Sequence, residues 1–286
     1  MSEIIDRAER YIWATARVLD QRRFEHLFQG GPAEPVRDAV LSYRTADGGF
    51  GYALEPDGRG PVSQPPHVYS ALQILEEAGG VDPGLAREVC DHLESVSTPD
   101  GGVPLALPSL EAYPHAPWWR AEPHGSLIAT ARSLAVLLRT GIEHPFVERA
   151  SEFCWRTVDA IEDTNPYEAE AAVVFLDAAP DRVRAEAAAE RIGRLVREQG
   201  LVGGEFGGQP GEVHSETDLA PRPDTLSRRW FSDAEMDGAL DRLQAEQQDD
   251  GGWRVKWIDG PTPATAGEWA EVTLNALLTL RAYGRV

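Results

Sequence analysis

Gln248-Asp249-Asp250-Gly251-Gly252-Trp253 and Thr45-Ala46-Asp47-Gly48-Gly49-Phe50 share one pattern, an acid, two glycines and a bulky ring. Related versions stand at Asp100-Gly101-Gly102-Val103 and Gly203-Gly204-Glu205-Phe206, so the pattern returns about every fifty residues, the mark of a structural repeat. From Asp100 to Gly203 is about two periods, which leaves room for a degenerate copy over Ala160 to Asn165 that has lost its glycines. Each pair follows one helix-like stretch and precedes a loop and a second one. The repeating unit is therefore helix, glycine turn, loop, helix.

Apolar residues at helical spacing mark Ile4 to Phe28, Pro35 to Arg44, Pro66 to Ala78, Pro83 to Val96, Ser126 to Arg139, Pro145 to Ile161, Tyr167 to Ala178, Asp181 to Glu198, Asp233 to Gln247 and Thr265 to Tyr283, ten expected helices. Strand-like alternation is nearly absent, and starts such as Pro145, Asp181 and Ser232-Asp233 supply helix N-terminal chemistry. The helices alternate in kind. Ser126 to Leu138 and Tyr167 to Leu176 carry little charge and suit an inner layer, whereas Asp181 to Glu198 and Asp233 to Gln247 have a broad charged face and suit an outer one. The expected fold is all-α, an (α/α) toroid of five or six hairpins in one domain, with the glycine turns leading from outer to inner helices.

The chain has 286 residues and 42% hydrophobic content, enough to bury a large core. No run approaches a membrane span, and Met1 to Arg10 is acidic and amphipathic rather than signal-like, so a soluble, cytoplasmic protein is expected. Cys90 and Cys154 lie in helical stretches and read as buried reduced thiols. The formal charge of −20 argues against nucleic acid and anionic membranes as partners. Arginine replaces lysine everywhere except Lys256, and alanine is abundant, a bias expected of a GC-rich bacterial genome.

The glycine turns at Thr45 to Tyr52 and Gln248 to Trp253, each followed by a loop and an Ala/Leu-rich helix such as Val68 to Leu75, resemble the repeat shared by squalene and oxidosqualene cyclases and protein prenyltransferase β subunits. In that superfamily the repeat is structural. The resemblance implies that Gln248 caps a neighbouring helix and that the Trp253 ring stacks on it. The Asp-x-Asp-Asp acid signature of proton-initiated cyclases is missing, and neither Cys90 nor Cys154 stands in a context like the zinc ligand of prenyltransferases. The chain is also shorter than two-domain squalene cyclases.

Chemistry is expected on the long loops over one end of the ring, Tyr52 to Pro66, Val103 to His124, Phe206 to Phe231 and Arg254 to Thr265. In the first loop Glu55 and Asp57, with Arg59 two residues on and His67 at its end, could have divergent pKa values, which makes Asp57 the first candidate acid and Glu55 the second; the competing reading is a locally bonded turn. The second loop carries His115, Trp118, Trp119 and His124. Adjacent tryptophans there should be buried or line a pocket, as a carbocation or sugar platform or as a plug. Glu168, next to Tyr167, and Glu268 open inner helices, where a carboxylate also satisfies the helix dipole and gains interest only if buried. Arg222, with Arg228 and Arg229, would suit a diphosphate, which would bring Mg²⁺, but neighbouring acids could pair with these arginines instead. Glu212, His214, Glu216 and Asp218 stand at no spacing specific for a metal, so no metal site is expected.

The expected function is binding of an isoprenoid or other apolar molecule in a central cavity walled by Trp118, Trp119, Tyr167 and Trp257, with proton-initiated cyclisation or isomerisation. One alternative is a carbohydrate-active toroid using two of Asp57, Glu168 and Glu268 as its carboxylate pair. Another is a non-catalytic scaffold.

Overall fold

The structure is a computed structural model that describes residues 2–203, 213–255 and 263–286, with side chains from 267 onward in the last segment. The described residues are all-α, with isolated β-bridges and no strand. The contacts gather into two compact units. One comprises Met1–Gly31, Glu162–Val173 and Ala189–Val286, the other Pro32–Ile161 and Val174–Ala188.

In the second unit, α3 (Glu34–Leu41) packs on α4 (Pro65–Glu77), α4 on α6 (Leu127–Thr140), and α5 (Pro83–Ser95) and α6 on α7 (Pro145–Ala160). Helices α4 and α6 bury residues on several sides, whereas α5 and α7 bury single stripes led by Ala86, Val89, Cys90 and Leu93 and by Phe146, Ala150, Phe153 and Cys154. That is the inner and outer alternation read from composition. The expected N-terminal signals are used. His144 accepts the Phe146 amide before Pro145, Asp181 accepts the Arg184 amide, and Ser232 and Glu235 close a capping box.

In the first unit, the stretch Ile4 to Phe28 forms two helices rather than one, α1 (Glu3–Thr15) and α2 (Val18–Gln29). Ala16 and Arg17 are extended, and the Arg17 guanidinium turns back onto Asp20, which is completely buried. No proline or glycine marks this break. The apolar spacing continues through it because both helices bury their stripes in one cluster with the last helix. That helix, α12 (Pro263–Ala282), packs on α1, α2 and α11 (Asp233–Ala245). Short helical turns also form at Pro108–Ala112, Glu216–Leu219 (α10) and Leu226–Trp230, inside stretches read as loops. The remaining long helices are α8 (Pro166–Ala178) and α9 (Arg182–Glu198).

Three glycine turns share one geometry. The amides of Thr45, Thr98 and Gln248 donate to the carbonyls of Gly49, Gly102 and Gly252, and the amides of Gly48, Gly101 and Gly251 donate back. Asp47, Asp100 and Asp250 each accept the amide of the second glycine. The first glycines have φ of 87°, 90° and 97°, a region that favours glycine. Each turn is seated on an outer helix. The first rests on Glu88 and His92 of α5, the second on Arg149 and Phe153 of α7, the last on Arg7 and Tyr11 of α1. The residue after the glycines, Phe50, Val103 or Trp253, is buried. The Gln248 side-chain amide bonds the nearby Glu246 carbonyl, while its backbone carbonyl accepts from Arg7 of α1; the side chain that donates to the Ile4 carbonyl of α1 is that of Gln247. Residues 160–165 join α7 to α8 without a glycine turn, with Asn165 accepting the Glu168 amide. At the Gly203 copy the Gly203 amide donates to the His214 carbonyl, and the rest of that copy lies outside the described residues.

Burial alone would raise the pKa values of Asp47 and Asp100, but the hydrogen bonds converging on both carboxylates hold them below the ordinary aspartate range. Depressed carboxylates contribute stability above their unfolded-state pKa that is lost as pH falls through the folded value. We expect the melting temperature to drop steeply below about pH 4, and Asp100→Asn to cost a few degrees at neutral pH while flattening that acid limb in a thermal melt series.

Candidate functional site

The first two loops lock together within the second unit. Asp57 accepts from the Trp118 indole at 2.6 Å, and its carbonyl accepts the Ala116 amide. The Glu55 carboxylate accepts the Asp57 amide at 3.0 Å, and the Glu55 amide donates to Nδ1 of His67, which is fully buried. Trp119 is buried edge-on to His67, with ring centroids 5.5 Å apart, and packs so closely on Gly58 that a side chain there would collide with it. Trp118 stays 38% exposed. Arg59 is exposed and its amide bonds Pro114; His115 turns to the Tyr113 carbonyl, and His124 pairs with Glu122 at the surface.

Gln64, which the sequence did not single out, ties the two loops from a fully buried position, accepting the Leu107 amide and donating to Ser109. Its only signal was a lone amide between Ser63 and Pro65. Asp57, Glu55, His67, Trp118 and Trp119 thus form one cluster whose bonds are mainly those of loop anchoring.

The remaining expected site residues with described side chains lie in the first unit. Glu168, half-buried in the first turn of α8, has its pKa raised by burial and by the nearby Asp163, against a lowering hydrogen bond from Asn165. Beside it, Tyr167 meets the buried His214 ring edge-on at 4.9 Å. Glu268 is half-buried in α12 with one carboxylate oxygen out of solvent. Arg222 pairs with Asp224 and Arg228 with Asp233. Glu216 pairs with Arg242, and Asp218 closes the cap on Ser215. Among the described residues no group of three or more His, Cys, Asp or Glu could hold a metal. Trp257 and Glu212 lie outside the described residues.

Surface clefts among the described residues of the second unit include one of about 610 Å³ around Trp155, Asp159 and Arg184 and one of about 450 Å³ around Glu76, Arg87 and Arg139. Neither includes an expected site residue. The half-buried residues of α4 and α6 include the polar Tyr69, Gln73 and Arg132, whose guanidinium lies 5.3 Å from the Tyr69 ring centre, as well as the apolar Ile128 and Leu138. Cys90 and Cys154 are buried and free, and burial pushes Cys90 up to about 12, too high for thiolate chemistry at neutral pH.

No family profile matches the chain, and no curated protein matches it. Solved structures do. The type II terpene cyclase MstE from Scytonema, in complex with geranylgeranyl dihydroxybenzoate as substrate, superposes with TM-score 0.57 at 13% identity over 99% of this chain and 87% of that one. Its apo form gives 0.54 at 14% identity over 99% and 88%. A protein from Actinoplanes gives 0.53 at 19% identity over 87% and 82%. Among the described residues no helix is long and apolar enough to cross a membrane. The chain has a terpenoid cyclase-like all-α fold.

Proposed function

We propose that this chain binds an isoprenoid or another extended apolar molecule and transforms it by proton transfer, cyclising or isomerising it, with Glu168 as the acid. The observation that carries this reading is Glu168 itself, a half-buried carboxyl at the start of α8 whose pKa is raised by burial. A raised pKa increases the protonated fraction at any given pH, which a proton donor needs. Tyr167, the preceding residue in the same helix, and His214 form a ring pair in the same unit, and the aromatic face of a tyrosine stabilises cationic centres. The likeness to a terpene cyclase holding a geranylgeranyl substrate supports the ligand class. Asp57 and Glu55 stand as the second choice of acid, since Asp57 is already engaged by Trp118. Arg222 and Glu268, in the same unit as Glu168, would contribute to binding, and a diphosphate ligand would bring Mg²⁺ with it.

One observation favours a more polar ligand, the half-buried Tyr69, Gln73 and Arg132 of α4 and α6. A sugar would use such groups, with two carboxylates roughly 5 to 10 Å apart across the bond to be cleaved.

Thermal melts with farnesyl diphosphate, geranylgeranyl diphosphate and Mg²⁺, geranylgeranyl dihydroxybenzoate and a panel of oligosaccharides decide between these readings. A ligand at a hundredfold excess over its Kd adds about 2.7 kcal/mol to folded-state stability. We expect a rise of several degrees with an isoprenoid compound and none with sugars. A rise with sugars alone would replace the isoprenoid reading, and silence across the panel would favour a non-catalytic scaffold.

A further inference from the structure

The first and second repeat turns seat their second glycines on different surfaces. A Cβ at Gly102 would fall 2.8 Å from the Phe153 ring of α7 and 2.9 Å from the Cα of Gly125. At Gly252 the corresponding α1 residue is Tyr11, 2.6 Å away. At Gly49 the aromatic is replaced by a histidine and Gly125 by a serine. A Cβ there would fall 2.6 Å from His92 Nε2 and closer still to Ser63 Oγ. Of these three, the first copy alone rests on an imidazole, the ring whose ordinary titration falls between pH 5 and 8.

His92 is 4% exposed. Its Nδ1 lies 3.2 Å from the Asp47 carbonyl, and its Nε2 is buried without a hydrogen-bond partner. The bonding assigns the proton to Nδ1 and leaves a bare lone pair on Nε2. Asp47 also holds the loop that follows. Its carboxylate accepts from Ser63 at 2.5 Å and from Thr45, and the Gln64 amide donates to the Phe50 carbonyl. That loop carries Glu55 and Asp57 between its anchored ends.

We propose that His92 is a pH-sensitive joint, whose protonation unseats the first repeat turn and releases its hold on Ser63 and Gln64 while the other turns stay in place. A proton added at Nε2 would sit against the Gly49 backbone with no acceptor, so the turn must shift to accommodate it. The charged groups around the ring offer partial relief. Asp47, from the turn, has its carboxylate 3.9 Å from Nδ1 and favours the charged form. On α5 itself, Glu88 is engaged by Arg44 of the approach to the turn. From α7, His144 is taken by Asp91 and Arg149 by Glu94. Ser63, from the loop, is neutral. Burial outweighs Asp47 and holds His92 below the ordinary histidine value. Stability from the neutral ring is therefore complete above the unfolded-state pKa and lost as pH falls from there towards the folded value.

Amide hydrogen exchange, expressed as protection factors between about pH 7.5 and pH 5, tests the idea. The amides of Gly51, Tyr52 and Gln64 report the first turn, and Gly102, Ser126, Gly252 and Trp253 report the others. First-turn protection should fall by up to about tenfold per pH unit within the window between the two pKa values, with the other turns unchanged. His92→Phe, which copies the Phe153 arrangement, and His92→Gln should both flatten that dependence. A uniform decline in all turns, an unchanged first turn, or the wild-type profile persisting in either variant would overturn the proposal. Should both variants fail to fold, the wild-type imidazole resonance decides: titration below the ordinary histidine value supports the joint, and titration at or above it refutes it.

Discussion

Trp253→Ala is expected to cost about 3 to 5 kcal/mol in chemical denaturation, the range for removing a large buried aromatic. Trp253 is 2% exposed in a cluster with Tyr11, Ile12, Phe24, Leu240, Leu274 and Leu277, which joins α1, α2, α11 and α12. Its indole N–H donates to the Leu243 carbonyl at 2.8 Å, and its amide donates to Thr273. The substitution removes the contacts, opens a cavity and leaves a carbonyl of α11 short of a partner. Trp253→Phe should cost markedly less, because it retains a ring and loses chiefly the indole hydrogen bond. Equal losses for the two would mean that the hydrogen bond, rather than packing, dominates the site. Val103, the counterpart in the second turn, is smaller, so Val103→Ala should be milder than Trp253→Ala.

Glu168→Gln is expected to lower turnover about 10²- to 10⁴-fold, the usual contribution of a positioned acid, while leaving the ligand-induced rise in melting temperature intact. Its effect on stability should have the opposite sign. Because burial raises the Glu168 pKa, the neutral acid's contribution is complete below the unfolded-state pKa and lost as pH rises through the folded value. Glutamine keeps a neutral side chain of the same shape, so the variant should melt at or above the wild-type temperature at neutral pH, with the gap closing on acidification. A variant that is less stable at neutral pH would argue against burial as the cause of the shift. Undiminished product formation would remove Glu168 as donor and turn attention to Asp57→Asn.

The turns were legible because their requirements are local. A positive φ, an acid that accepts the amide two residues on, and a following apolar residue leave a trace in adjacent letters, as at Asp250 to Trp253. The helix starts at Pro145, Asp181 and Ser232 were legible for the same reason. The break at Ala16 and Arg17 was not. It depends on Asp20 being buried beside two arginines, Arg17 and Arg23, while the apolar spacing on either side runs on undisturbed.

The site was harder to read than the fold. Glu55 and Asp57 drew attention because carboxylates near an arginine are visible in sequence, yet beside the local bond between them Asp57 is also held by Ala116 and Trp118, about sixty residues away. Glu168 looked like an ordinary helix-dipole carboxylate, and only its burial distinguishes it. The sequence alone determined the helical class, the repeat and the residue that closes each turn, since each follows from spacing and backbone chemistry within a few residues. Only the tertiary structure decided which helix each turn rests upon, which carboxyl is partly withdrawn from water and that the Nε2 of His92 is buried without a partner, because desolvation and packing depend on residues brought together from distant parts of the chain.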